Sequence, residues 1–287
     1  MKIEVKNLSK SYKGKQALKG LSFTLGEQKI YGLLGRNGAG KTTFMDILSG
    51  NLQPSEGEVL INGRSAFNDQ ELRQSICLIK DSDNARKELK VKNMLKLYSY
   101  FYPTWSQELA ETLLDEFGLD RNARIKTFSK GMESALGITL GLASRAPITV
   151  FDEPYIGLDA AARKRFYQLL LEEYEIEKRT FIFSTHLIDE VSLLFEEVLI
   201  LQEGRLILQE DSELLRGMTS AVSGKTDQVE AFIKNKKVWN KQQFGGLMTA
   251  YVNGSSEEAE QAGLSAKGIP IQDLMVYMTE SREGVLK

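Results

Sequence analysis

The chain has 287 residues, of which 42% are hydrophobic and 26% charged, so we expect a globular protein rather than a disordered or fibrous one. Its 37 basic and 39 acidic side chains leave a formal net charge of −2, which makes nucleic acid an unexpected partner. The single cysteine, Cys77, excludes an intrachain disulfide, and no segment has the roughly 20 apolar residues of a membrane span, so we expect a cytoplasmic protein that reaches a membrane only through a partner.

The first part of the chain alternates apolar and polar residues in the manner of β-strands. This alternation runs through KIEVKNLSKSY, ALKGLSFTLGEQKIYGLLG and GEVLING, with turn residues between the stretches. We therefore expect this part of the chain to be rich in strands.

The octapeptide GRNGAGKT, residues 35–42, follows the predicted strand KIYGLL directly and matches the phosphate-binding pattern G-x-x-x-x-G-K-[ST]. Its glycines permit a tight loop whose N–H groups converge on phosphate oxygens, and the helix that follows adds the positive end of its dipole. In this pattern Lys41 reaches the β and γ phosphates of ATP, and the Thr42 hydroxyl helps to hold Mg²⁺. An incidental glycine-rich turn would lack the flanking strand and helix. The predicted nucleotide contacts are Gly35, Arg36, Asn37, Gly38, Ala39, Gly40, Lys41, Thr42 and Thr43.

From Val91 to Leu142 the apolar spacing changes to the 3.6-residue period of helices. The stretches are VKNMLKLYSYF, SQELAETLLDEFGL and GMESALGITLGLA. In the second stretch Ser106 is the predicted N-cap, and Gly118 lies just past the predicted end. We assign about residues 85–145 to a helical subdomain between two sheet regions.

Two short apolar runs, ITVFDEP and TFIFSTH, are typical of buried parallel strands, and a helix is predicted between them at residues 160–174. Asp152 and Glu153 end the first strand, and His186, the only histidine, ends the second. Open parallel sheets bind ligands at this end of their strands. Asp152 is placed to bind Mg²⁺ through water, and Glu153 to orient or deprotonate the attacking water. Alone, the acids could start a turn and the histidine could be structural, but the phosphate loop favours catalytic roles for Glu153, His186 and Lys41.

The last part of the chain contains one more predicted strand pair, after which the pattern of predicted elements changes. EEVLILQEGRLILQED predicts two strands that turn at Glu203 and Gly204. After Gly217 the pattern is that of a small mixed α+β unit. We therefore divide the chain into a nucleotide-binding domain, residues 1–216, and an accessory domain, residues 217–287.

The order of the phosphate loop, the helical insertion, FSKGM, VFDEP, GLD and STH resembles the ATP-binding subunit of ABC transporters over roughly residues 1–215. The resemblance implies an α/β fold: a P-loop NTPase core of the ABC-ATPase type with an antiparallel β subdomain and a helical subdomain, plus a small C-terminal α+β appendage. It implies a homodimer or heterodimer that traps two ATP molecules between its subunits. It also implies ATP hydrolysis that energises a separate transmembrane permease subunit at the cytoplasmic face of the membrane, and the form of the signature favours export.

The same resemblance assigns roles to residues outside the phosphate loop. Ser129 and Gly131 in FSKGM would contact the γ phosphate held by the opposite subunit, and Asp159 would belong to the loop that communicates between the two sites. Tyr12 matches the aromatic residue that stacks on adenine. His186 matches the histidine that contacts the γ phosphate and steadies the catalytic water.

Two departures from the family pattern stand out. The signature, usually Leu-Ser-Gly-Gly-Gln, here has Phe128, Lys130 and Met132 at its first, third and fifth positions. It is similar to that of bacterial exporters of the bacitracin-resistance type, and Lys130 would add a cation near phosphate. Asp81 ends the strand ICLIKD where the family has a glutamine. Because an ionised aspartate is shorter and only accepts hydrogen bonds, we expect slower or more strongly partner-dependent turnover.

Two alternative functions stay open. One is a soluble ABC-type ATP switch, such as those acting in translation, DNA repair or cluster assembly. The other is a regulatory subunit that holds ATP but hydrolyses it weakly beside an active homologue; Asp81 favours it, whereas Glu153 and His186 oppose it. The five aromatic residues of LYSYFYPTW, residues 97–105, fit either the core of the helical subdomain or a groove that docks the permease.

Overall fold

The computed structural model describes residues 1–81 and 84–279, and these form two compact units. Among the described residues, the first unit comprises 1–186 and 201–207, and the second comprises 187–200 and 208–279. The predicted domain boundary at residue 216 rests on the change in the pattern of predicted elements and stays a prediction. The contacts of the folded chain place residues 187–200 and 208–216 with the second unit instead.

The first unit combines strands from both halves of the chain. Its strands are β1 (Ile3–Tyr12), β2 (Lys15–Leu25), β3 (Ile30–Leu34), β4 (Glu56–Ile61), β5 (Ile76–Ile79), β6 (Ile148–Asp152) and β7 (Thr180–Ser184). Its helices are α1 (Lys41–Leu48), α2 (Gln70–Arg73), α3 (Val91–Phe101), α4 (Gln107–Glu116), α5 (Lys130–Ala143) and α6 (Ala160–Ile176). Short 3₁₀ turns occur at Ala66–Asn68 and Ile125–Thr127.

Two sheets organise this unit. Strands β1, β2 and β4 form an antiparallel sheet in the order β2-β1-β4. Strands β5, β6, β7 and β3 lie in that order and run parallel. Every residue of β3, β6 and β7 is buried, which confirms the prediction of buried parallel strands.

The register of the parallel sheet determines which residues meet at its carboxyl edge. Asp152 at the end of β6 pairs with Ser184 at the end of β7, and Leu33 of β3 also pairs with Ser184. The phosphate loop begins at Gly35, directly after Leu34, the last residue of β3. The strand ends that carry the predicted chemistry therefore lie side by side.

Three helices, α3, α4 and α5, form the predicted helical segment between β5 and β6. The Ser106 side chain accepts a hydrogen bond from the N–H of Leu109 at 3.2 Å, and Gly118 beyond the helix end has φ 63°, so both predicted ends of α4 are confirmed. The aromatic side chains of residues 97–105 differ in their exposure to solvent. Tyr98 packs against Tyr102 and Trp105, whereas Tyr100 is 74% exposed.

Strands β8 (Glu197–Gln202) and β9 (Arg205–Asp211) form the hairpin predicted at Glu203 and Gly204, and residues 201–207 around its turn belong to the first unit. Both turn residues have positive φ, 47° and 80°. This conformation suits a two-residue hairpin turn, whose twist matches that of its strands.

The second unit contains a mixed α+β fold with its own core. Its helices are α7 (Ile188–Val191), α8 (Ser212–Gly217), α9 (Thr226–Ile233), α10 (Ser256–Gln261) and α11 (Ile271–Thr279), with a 3₁₀ turn at Ser192–Leu194. Its sheet has strands β10 (Thr219–Lys225), β11 (Val238–Phe244), β12 (Leu247–Asn253) and β13 (Ser265–Gly268) in the antiparallel order β11-β12-β10-β13. The chain order from β10 to β13 is βαββαβ, the split βαβ motif. No helix in the described part of the chain is long and apolar enough to cross a membrane.

Candidate nucleotide-binding site

The phosphate loop, residues 35–40, connects β3 to the N-terminus of α1 in a conformation that only glycine fits. Gly35 and Gly40 have φ values of 147° and 107°. A Cβ atom at Gly40 would lie 2.6 Å from Leu18 Cδ2, and one at Gly35 would collide with the carbonyl oxygen of Leu201. The loop therefore requires glycine for its dihedral angles and for its close contacts.

The turn of the β8–β9 hairpin buttresses this loop. The N–H of Gly204 donates to the carbonyl oxygen of Ala39 at 3.0 Å, and the carbonyl oxygen of Gly204 accepts from the N–H of Lys19 at 2.8 Å. A Cβ atom at Gly204 would lie 2.5 Å from the carbonyl oxygen of Ala17. The glycine thus allows the hairpin turn to contact the loop closely and to hold its position.

Lys41 begins α1 and its side chain turns back over the loop. Its Nζ donates to the carbonyl oxygen of Gly35 at 2.6 Å and lies 3.4 Å from that of Arg36. Burial lowers the pKa of Lys41, and the nearby carboxylates of Glu153 and Asp152 oppose that effect. Because the N-cap Gly40 has no side chain to cap the helix, the first N–H groups of α1 are available to an anion.

Beside the loop, oxygen ligands converge at the end of β6. The Thr42 hydroxyl donates to Asp152 Oδ2 at 2.8 Å, and Asp152 is only 8% exposed. Ser184 Oγ is buried and has no hydrogen-bond partner among the described residues. Hard oxygen ligands of this kind suit Mg²⁺. No group of three or more histidine, cysteine or acidic side chains in the described ranges could hold a metal ion.

Glu153 and His186 meet in a hydrogen-bonded network one residue beyond this point. His186 Nδ1 lies 2.7 Å from Glu153 Oε2. The Tyr155 hydroxyl donates to the same carboxylate oxygen, lies 2.6 Å from Thr185 Oγ1 and accepts from the backbone N–H of His186 at 3.1 Å. The Glu153 backbone has φ 53° and donates its N–H to the carbonyl oxygen of Ser184 at 3.1 Å. The structure therefore brings Glu153 and His186, two of the three predicted catalytic side chains, into direct contact.

A cleft of about 430 Å³ opens over the phosphate loop and these strand ends. Tyr12, the predicted adenine platform, is 45% exposed and lines this cleft. The other lining residues are Lys15, Ala17, Asn37, Gly38, Ala39, Gly40, Lys41, Thr42, Thr43, Asp152, Glu153 and Ser184.

The predicted signature and communication residues lie elsewhere in the first unit. Ser129 caps α5 by accepting from the N–H of Met132 at 3.3 Å, and Asp159 caps α6 by accepting from the N–H of Ala162 at 2.8 Å. Neither they nor Gly131 are among the described residues that line the cleft. Their contact with a nucleotide held by a second subunit stays a prediction.

Asp81 also lies outside the described lining of the cleft. It borders a separate small cavity with Asn84 and Glu133, and its backbone carbonyl accepts a hydrogen bond from Lys130 Nζ. The Lys130 ammonium, expected near phosphate, is therefore engaged within its own chain. The two departures from the family pattern are in direct contact.

Sequence reasoning did not single out several residues of this site. Lys15 and Ala17 follow Tyr12 by a few positions, but nothing in their residue types marks a ligand. Tyr155 and Thr185 could have been found from position alone, since each is a hydroxyl residue within two positions of a predicted catalytic side chain.

Comparison with known proteins gives one consistent result. The family model described as "ABC transporter" matches residues 18–156. The ABC transporter ATP-binding protein YtrB of Bacillus subtilis (strain 168) is 26% identical over 189 residues, which cover 66% of this chain and 65% of that protein. This chain thus spans slightly less than two thirds of that curated relative.

Solved structures show the same fold. A structure titled "Structure of ATP binding subunit of ABC transporter" superimposes with a TM-score of 0.68 and 27% identity, and the match covers 75% of this chain and 92% of the other. CbiO1 from Clostridium perfringens, described as part of the ABC transporter complex cbiONQ, gives a TM-score of 0.61 and 26% identity over 74% of this chain and 89% of its own. The predicted fold class is confirmed.

Proposed function

We propose that the chain is the ATP-binding subunit of an ABC transporter and that it binds and hydrolyses ATP to energise a separate transmembrane permease subunit, as its match to the family model and to a solved ATP-binding subunit supports. One observation carries this proposal. The phosphate loop, Asp152, Glu153 and His186 converge at one edge of one sheet, with the loop and both acids lining a single cleft. That arrangement has the parts that phosphoryl transfer to water requires.

The residues around the loop would bind the phosphates. The backbone N–H groups of residues 35–40 and the first turn of α1 would hold phosphate oxygens, and Lys41 would leave its carbonyl partners to reach the β and γ phosphates. Thr42 and Asp152 fit a Mg²⁺ site and would help to hold the ion, which would neutralise charge that develops on the phosphates.

The network at the end of β7 would act on the water. Glu153 would orient the attacking water and accept its proton, since it is a carboxylate that lines the cleft. The His186 side chain is 63% exposed while its Nδ1 bonds Glu153, so the rest of the ring is accessible to a γ phosphate. One side chain would thus steady both the base and the phosphate.

A second subunit, identical or homologous, would complete each site. Ser129 and Gly131 lie at the N-terminus of α5, outside the cleft of their own chain, and would contact the γ phosphate held by the partner. Asp159 at the N-terminus of α6 would take part in communication between the two sites, and Tyr12 would stack on adenine.

The permease would place the chain at the cytoplasmic face of the membrane. The exposed side chains of α3, Leu97 at 44%, Tyr100 at 74% and Phe101 at 43%, form an apolar patch suited to docking a segment of this partner. The signature FSKGM supports export as the direction of transport.

The proposed function is tested by ATP turnover of the purified chain, alone and reconstituted with the membrane protein that copurifies with it. We expect turnover that the membrane protein stimulates. Absence of turnover in both preparations would contradict ATP hydrolysis, whereas turnover that no membrane protein alters would favour the soluble switch.

The placement of Asp81 supports a second candidate, a subunit with weak hydrolysis. In the family the glutamine at this position contacts Mg²⁺ and water, but Asp81 lies outside the cleft lining and its backbone is bonded to Lys130. A cleft that lacks this contact would turn over slowly unless a partner repositioned the loop.

Asp81→Gln tests this candidate. We expect a severalfold rise in ATP turnover, because the glutamine side chain is one methylene longer, extends further toward the nucleotide and can both donate and accept hydrogen bonds. ATP affinity should stay near the wild-type value, because the phosphate loop that binds the nucleotide is unchanged. Asp115→Gln, an exposed site on α4, is the matched control. Identical turnover of Asp81→Gln and wild type, with and without the membrane partner, would remove Asp81 as a determinant of rate.

A further inference from the structure

The Tyr155 hydroxyl lies at the centre of the catalytic network without lining the cleft. It contacts Glu153 Oε2, Thr185 Oγ1 and the backbone N–H of His186, and its ring meets the imidazole edge to face at 5.6 Å between centroids. Tyr155 itself is only 3% exposed. It is therefore a buried group that contacts Glu153 and His186, two of the three predicted catalytic side chains.

The hydrogen-bonding capacity of a phenol determines how these contacts are arranged. A phenol has one hydrogen to donate and two lone pairs to accept with. The backbone N–H of His186 can only donate, and an ionised Glu153 carboxylate can only accept, so the hydrogen of Tyr155 points to Glu153. Thr185 then donates to Tyr155. Burial, together with the bond to Glu153, raises the pKa of the Tyr155 hydroxyl, which stays protonated and remains a donor.

The same reasoning fixes the imidazole. His186 Nδ1 lies 2.7 Å from Glu153 Oε2, and a carboxylate only accepts, so Nδ1 carries the hydrogen. Oε2 thereby accepts from both Tyr155 and His186. The other carboxylate oxygen, Oε1, is left for water.

We propose that Tyr155 is a positioning residue: by donating to Oε2 it fixes the Glu153 carboxylate in the orientation that leaves Oε1 for water and that keeps the His186 ring in its Nδ1–H form. This rests on the proposed function for its effect on ATP hydrolysis. The hydroxyl acts through Glu153 and His186, without contact with the nucleotide, because Tyr155 is buried and does not line the cleft. A hydrogen bond that holds a catalytic side chain in one orientation sets the precision with which that group meets its substrate.

Tyr155→Phe removes only the hydroxyl. We expect kcat for ATP to fall about ten- to hundredfold, the effect of a catalytic group displaced by a fraction of an ångström to an ångström. ATP affinity should stay at the wild-type value, because no cleft-lining atom changes. Tyr174→Phe is the matched control: it also removes a buried hydroxyl, bonded to the carbonyl oxygen of Gln28 at 2.7 Å, and should lower neither kcat nor affinity.

A double variant separates positioning from a general loss of structure. If Tyr155 acts through Glu153, Tyr155→Phe should leave the residual single-turnover rate of Glu153→Gln unchanged, since groups that act as one unit are not additive. An equal loss of rate in the wild-type and Glu153→Gln backgrounds would overturn the proposal.

The lone histidine provides a measurement that does not depend on hydrolysis. Nitrogen NMR of histidine-labelled, nucleotide-free protein reports on one imidazole, His186, at a pH where the ring is neutral. We expect protonated Nδ1 in the wild type and in Tyr174→Phe, and a mixture of the two ring forms in Tyr155→Phe. An unchanged Tyr155→Phe spectrum would overturn the proposal. If Tyr155→Phe changes the spectrum but the wild-type protein does not hydrolyse ATP, the positioning role stands and only the proposed function is contradicted.

Discussion

Glu153→Gln is expected to lower the ATP turnover of the chain by about 10²- to 10⁴-fold, the range that a general base contributes. Glutamine keeps the size of the side chain and an oxygen that Tyr155 and His186 can bond, but it cannot take a proton from water. The phosphate loop is untouched, so ATP should still bind. A steady-state phosphate-release assay measures the rate, and equilibrium binding of labelled ATP measures the affinity.

The same variant should accumulate as an ATP-bound dimer, because closure no longer ends in hydrolysis. Size measurement with and without ATP detects it. Glu56→Gln, an exposed residue of β4, is the matched control and should behave as wild type. Turnover by Glu153→Gln at the wild-type rate would assign the base to another group and contradict the mechanism.

His186→Ala should retain ATP binding and lose hydrolysis by about 10²- to 10³-fold, the cost of removing one positioned group that stabilises developing charge. The substitution removes the proposed γ-phosphate contact and one of the two hydrogen bonds that hold Glu153 Oε2, while the bond from Tyr155 remains. The loss should therefore be large but smaller than that of Glu153→Gln. The same two assays measure it.

His186→Gln provides the comparison, since an amide can replace the hydrogen bond to Glu153 but not the ring. We expect its rate to lie between those of His186→Ala and the wild type. Equal hydrolysis by His186→Ala and the wild type would return His186 to a structural role, and loss of ATP binding would show that the imidazole acts on the ground state.

The parts of the site that sequence predicts are those written as contiguous motifs beside a strand. GRNGAGKT follows β3, Asp152 and Glu153 follow the apolar core of β6, and His186 follows β7, so chain order and the rule for parallel sheets suffice to place them together. The fold class follows from the same alternation of strands and helices, because each motif implies the element beside it.

The remaining parts depend on register and on long-range packing. Ser184 enters the cleft because β7 pairs with β6 so that Asp152 lies opposite it, and a shift of one residue would bury a different side chain there. Gly204 contacts Ala39 of the phosphate loop although it lies 165 positions later in the chain (204 − 39). The strand order that brings the two residues together cannot be read from the sequence. The hydrogen bond from Lys130 to the Asp81 carbonyl also joins residues that are distant in the chain.

The close approach of Gly131 and Gly157 has a mechanical consequence. A Cβ atom at Gly131 would lie 2.5 Å from the carbonyl oxygen of Gly157, and one at Gly157 would lie 2.8 Å from the nitrogen of Gly131. Because neither glycine carries a side chain, the two backbones approach each other directly. We therefore expect a displacement of the first residues of α5 toward Gly157 to displace the segment before Asp159 as well, and so to reach the start of α6.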